Sequence, residues 1–170
     1  MPAGKILEDK IGDGNWFYNA CRTPWRLATD FLLNGDARAF SQLEVLNSWI
    51  QRATTPRLEV ASGAARRPTA LLAPGGVPDP ARINAGYLLN GNPIHPGIAD
   101  HGSCFNGPLA VSAMVGLGNQ AWLDALWSNL LDGDSLDSDG KEEYFRATVK
   151  LLCMIVLSGN WWDPQPTPIP

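Results

Sequence analysis

Residues 23–50 read "TPWRLATDFLLNGDARAFSQLEVLNSWI", and this stretch decides the fold. Pro24 stands where a first helical residue stands, because its missing N–H and fixed φ cost nothing there. Gly35 stands where a helix ends. Between them Trp25, Ala28, Phe31 and Leu32 share one face. Asp36 follows at once and can cap a second helix, in which Phe40, Leu43, Leu46, Trp49 and Ile50 recur at helical spacing.

The same pattern extends outward. Pro108 opens a third expected helix, "PLAVSAMVG", whose small apolar residues suit tight burial. Asn119 can cap a fourth, with Trp122, Leu123, Leu126, Trp127 and Leu130 as its apolar stripe. A fifth spans about 142–158 and is nearly all apolar from Val149 to Leu157, so its surroundings are expected to cover it on most sides. Residues 1–15 read as a polar lead-in. Residues 55–82, rich in Ala, Pro, Gly and Arg, read as a loop insertion, and 163–170 as a Pro-rich tail. "INAGYLLNGNP" suggests a short strand and a turn at Asn90-Gly91. With no strand–helix alternation, the expectation is one all-α domain over 1–170, built of consecutive antiparallel helix pairs: a bundle or part of a helical toroid.

At 170 residues the chain is long enough to bury a real core. Its net charge of −4 and lack of a basic run argue against nucleic acid as a partner. The longest apolar run, Leu151–Leu157, is far too short to span a bilayer, and the polar start shows no signal peptide. The three cysteines, at 21, 104 and 153, form no CxxC pair, so a structural zinc site is not expected, nor is any cofactor. The seven tryptophans can serve as core or as stacking platforms for sugar rings.

Two local patterns fail on inspection. Asp137, Asp139 and Gly140 imitate the middle of a calcium loop, but Ser135 and Arg146 stand at its first and last ligand positions. His101 and Cys104 sit close in sequence, but no group is evident to orient a Cys–His pair. Asp30 is more notable. A carboxylate near a helix C-terminus opposes the helix dipole, so a compensating partner such as Arg22 or Arg26 is expected.

At "FYNACRTPWRLATDFLLNGDARA" (17–39) the chain resembles glycoside hydrolase family 8, the inverting endoglucanases, xylanases, lichenases and chitosanases built on an (α/α)6 toroid. "INAGYLLNG" (83–91) is similar to that family's Gly-Tyr segment. "CFNGPLAVSAM" (104–114) is similar to its Phe-x-x-Pro helix, and "EEYFRATVKLLCMIVLSGNWWDP" (142–164) to its closing helix and Gly-Asn turn. The motifs follow the family's order over roughly 15–164.

The resemblance implies the C-terminal part of such a domain. The family's general acid, a Glu, and its sugar-holding Asp lie upstream and have no counterpart here. The cellulase branch takes its base from the Asp of Tyr-Asp-Ala-x-Arg. Here the motif reads Tyr18-Asn19-Ala20-Cys21-Arg22, so Asn19 occupies the base position. An amide can orient water but has no carboxylate to take its proton. Tyr18 and Arg22, with Tyr144 and Phe145 where the family has a tyrosine pair, are the implied substrate contacts, and Asp30 the implied support of the strip. The implied ligand is a β-linked polysaccharide or oligosaccharide, and the implied location extracellular. A non-catalytic carbohydrate-binding module is the other reading. A partial toroid would expose apolar stripes, so self-association, or pairing with an N-terminal half, is expected.

Overall fold

The computed structural model describes residues 14–56, 76–95, 102–132 and 143–161. Five α-helices carry it: α1 (Thr23–Asn34), α2 (Ala37–Thr54), α3 (Ser103–Ala113), α4 (Gln120–Asp132) and α5 (Tyr144–Leu157). Single 3-10 turns occur at Pro80–Arg82 and Leu117–Asn119. No strand forms among the described residues. Only isolated bridges pair Tyr87 with Trp16 and with Pro93.

The α1–α2 corner follows the sequence closely. Gly35 takes φ 69°, and its N–H donates to the Phe31 carbonyl. The Asp36 carboxylate accepts from the backbone N–H of Arg38 at 2.8 Å and of Ala39 at 3.4 Å, which satisfies two open donors at the start of α2. The inward faces are as read, with one exception. Trp25, Ala28, Leu43 and Ile50 are buried, but Leu32 is exposed.

The third helix corrects the sequence reading. It starts at Ser103, and Pro108 lies inside it. Gly102 stands at its N-cap and accepts from the N–H groups of Phe105 and Asn106. A proline inside a helix forfeits one backbone hydrogen bond. Burial of Cys104 and Phe105, both at 0% exposure, draws the extra turn into the helix. All eleven residues of α3 are buried, so it has no polar face from which a period could be read.

This helix is the hub of the fold. It packs against α1, α4 and α5, and less extensively against α2. Packing by consecutive pairs therefore describes only part of the arrangement, since α1–α3 and α3–α5 join helices that are not neighbours in the chain. Two polar side chains pin α2 to α3. The Asn47 amide donates to the Ser112 carbonyl at 2.9 Å, and the Ser112 hydroxyl donates back to Asn47 Oδ1 at 2.9 Å, both out of water. Gly107 permits the approach of α5: a Cβ there would stand 3.1 Å from Cys153 Cβ.

Two further expectations change. Asn119 closes a 3-10 turn ahead of α4, and its side-chain oxygen accepts from Gln51 Nε2 at 3.0 Å. α5 is not covered on most sides: Val149, Cys153 and Val156 form one buried stripe, while Leu151 is exposed. Residues 57–75 of the expected insertion lie outside the described residues. Residues 80–82, by contrast, form the 3-10 turn, with Pro80 buried and Asp79 N–H bonded to the Thr54 carbonyl at 3.3 Å. The acidic 133–142 segment, His101 and Trp162 also lie outside the described residues.

Candidate functional site

The strip 18–22 runs into the first turn of α1, and its rings interlock with residues from elsewhere in the chain. Trp16 is fixed first, by backbone bonds exchanged with Tyr87 at 3.0 and 2.8 Å. Its ring stacks on Tyr87 at 5.6 Å and meets Phe105 edge-on at 5.4 Å. Gly86 makes this closeness possible. It sits at φ +88°, and a Cβ there would lie 2.5 Å from the Phe17 ring and 2.8 Å from the Trp16 carbonyl.

From Phe105 the ring contacts continue outward. Tyr18 lies 5.3 Å from Phe105 and 6.3 Å from Phe145, the latter edge-on. The Arg22 guanidinium stands over the Phe145 ring at 5.6 Å from its centroid. Arg22 Nη2 also donates to the Asn19 carbonyl at 3.1 Å. A cation held over a ring and tied to a backbone oxygen is ordered before any ligand arrives. Tyr18, Asn19, Arg22 and Phe145 thus come together, with Asn19 exposed to solvent.

Tyr144 and Asp30 stand differently. Tyr144 is 84% exposed at the start of α5. Asp30 Oδ1 accepts from Asn34 Nδ2 at 2.8 Å, one turn further along α1. That amide meets the carboxylate where an arginine is expected. Arg22 faces Phe145, and Arg26 lies 5.0 Å over the Trp25 ring. Asp30 lines a groove of about 460 Å³ with Trp25, Arg26 and Trp161.

Phe105, inside "CFNGP", stands beneath the strip as a further element of it. It is the ring that Trp16 and Tyr18 share, and no local signal marks it, because both partners lie more than eighty residues away in the chain. Of the two uses open to the tryptophans, core or platform, Trp16 and Trp25 belong mostly to packing: Trp16 meets Tyr87 and Phe105 as above, and Trp25 is 4% exposed. A second groove, of about 290 Å³, is walled by Trp16, Trp49, Tyr87 and the Asn90–Gly91 turn.

The three cysteines are buried thiols that form no disulfide, and burial pushes the Cys153 thiol well above its usual range, with nearby Cys21 adding to the shift. Such a thiol stays protonated and is a poor nucleophile. Among the described residues no group of three or more His, Cys, Asp or Glu stands close enough to hold a metal ion. No helix among them is long and apolar enough to cross a membrane.

No family model matches the chain. It is 36% identical over 161 residues to a beta-glucanase of Niallia circulans, covering 95% of this chain and 32% of that protein. It is 26% identical over 168 residues to an endoglucanase of Bacillus sp. (strain KSM-330), covering 98% of this chain and 29% of that one. Its structure is similar to the apo structure of a beta-1,3-1,4-glucanase from Paenibacillus sp. X4, with a TM-score of 0.70 at 35% identity, over 95% of this chain and 34% of the other. The chain therefore spans about a third of the length of the relatives it matches. All three are glucan hydrolases by name, and by resemblance this chain, helical in its described residues, is glycoside hydrolase-like.

Proposed function

We propose that the chain forms one wall of a β-glucan cleft in an inverting endo-glucanase of the family 8 type, acting on β-1,4- or mixed-linkage glucan. The observation that carries this reading is the convergence of Tyr18, Arg22 and Phe145, from two separate motifs, on one solvent-facing strip. Tyr18 supplies ring surface for the flat face of a pyranose, and Phe145 holds Arg22 in place beside it. Arg22 supplies fixed donors for its hydroxyl rim. Tyr144, exposed at the start of α5, reaches the same substrate.

In an inverting hydrolase an acid protonates the leaving oxygen while a base activates water on the opposite face of the sugar. On this wall Asn19 holds the attacking water by hydrogen bonding, and a carboxylate from outside the strip takes its proton. The acid comes from polypeptide that the relatives carry beyond the matched third. Export from the cell accords with a polymeric substrate too large to enter it.

The assay combines the chain with the acid-bearing part of one of its glucanase relatives and reads reducing ends released from barley β-glucan, carboxymethylcellulose, xylan and chitosan. Cleavage of one of these by the combination, with the product anomer opposite to that of the bond cut, is expected. The second reading, a non-catalytic glycan-binding module, is favoured by one observation: residue 19, where the resemblance puts the base, is an amide, Asn19. It prevails if the chain binds a glycan and no reducing ends appear.

A further inference from the structure

We infer that the groove between α1 and the end of α5 is a second binding site, for a neutral pyranoside, distinct from the Tyr18–Arg22 strip. None of the strip residues lines it. Its volume of about 460 Å³ falls within the range of small-ligand sites, about 300–1,000 Å³.

The groove combines the two surfaces a sugar requires. The first is aromatic. The Trp161 ring is 37% exposed, and it stands edge-on to the buried Trp25 at 6.3 Å, which braces it from behind. Leu152 extends the apolar floor.

The second surface is polar and comes from one helix face. Arg26, Asp30 and Asn34 follow each other at i, i+4 and i+8, so guanidinium, carboxylate and amide stand in a row along α1. Asn34 donates to Asp30 Oδ1 at 2.8 Å, which orders both groups and leaves the amide oxygen of Asn34 as an acceptor. Trp25 Nε1 is buried in the same wall with no acceptor among the described residues.

The charges decide the ligand class. One arginine offsets one aspartate, so an anion meets Asp30 and a cation meets Arg26. A neutral polyhydroxyl ring uses both, donating to the carboxylate and accepting from the guanidinium, with its flat face on Trp161. That a glucan supplies the pyranoside rests on the reading proposed above.

The test titrates 15N-labelled chain with cellobiose and follows the Trp161 indole N–H, assigned by its loss in Trp161→Ala. A saturable shift is expected, weakened at least about fivefold in Asp30→Ala and Asn34→Ala, and retained in Arg22→Ala. The inference is overturned if the indole does not move, if it moves equally in Asp30→Ala, or if it shifts with protein concentration alone, which would make the groove a contact between copies. The backbone amides of Tyr18, Asn19 and Arg22 are followed on the same samples. A response there with an unmoved indole sinks this site alone. A moving indole with no response at Tyr18–Arg22 sinks the cleft reading alone.

Discussion

The Arg22 guanidinium lies over the face of Phe145, 5.6 Å from its centroid, and so joins the entrance of α1 to the first turn of α5. The two residues are far apart in the chain and belong to different motifs. The ring orders the cation, and the cation covers an apolar face that would otherwise meet water. A double-mutant cycle with Arg22→Ala and Phe145→Ala in urea denaturation should give a coupling of about 0.5–1 kcal/mol, the range for a partly exposed cation–π pair. Phe145→Tyr should keep it.

Gly86 is the backbone condition for the strip. Gly86→Ala places a methyl group against the Phe17 ring and the Trp16 carbonyl, at a φ that L side chains rarely adopt. A loss of about 2–4 kcal/mol is expected, combining local strain with overpacking. The near-ultraviolet circular dichroism of the Trp16–Tyr87 stack should change with it. Wild-type stability in Gly86→Ala would mean that Trp16 and Tyr87 are not held as described.

Asn47 and Ser112 test the α2–α3 seam. Asn47→Ala removes two hydrogen bonds and leaves the Ser112 carbonyl and hydroxyl without those partners in a dry interface. The expected cost is about 2–4 kcal/mol, and that of Ser112→Ala about 1–2 kcal/mol. Chemical denaturation measures both.

Asp36 gives a pH dependence. Hydrogen bonds from Arg38, first its side chain and then its N–H, hold the carboxyl far below the usual carboxylate range. A group whose pKa is lower in the folded state stabilises the fold above its unfolded value of about 4 and loses that contribution as pH falls below it. The melting temperatures of wild type and Asp36→Ala should therefore differ at pH 7 and converge as pH drops below about 4. A constant difference would contradict the capping role.

The sequence and the structure agree where a helix has one wet face. α1, α2 and α4 show apolar stripes, and the α1–α2 corner is fixed by the backbone chemistry of Gly35 and Asp36. Agreement fails at α3, where burial on every side removes the polar half of the pattern and Pro108 imitates a helix start. The strip 18–22 was legible as a motif, but its partners were not. Phe105 and Phe145 reach Tyr18 only through the packing of α3 against α1 and α5, and Asp30 turned out to bond Asn34, an amide four residues on.

The central claim is that Tyr18–Arg22 engages a β-glucan, and residue-resolved binding tests it most directly. A mixed-linkage tetrasaccharide is titrated into 15N-labelled chain, and the backbone amides of Tyr18, Asn19 and Arg22 are followed. The account predicts saturable shifts there, weakened about tenfold or more in Arg22→Ala, as loss of a charged hydrogen bond entails. Amides at 18–22 that stay in place at saturating sugar, or that respond equally in Arg22→Ala, would contradict it.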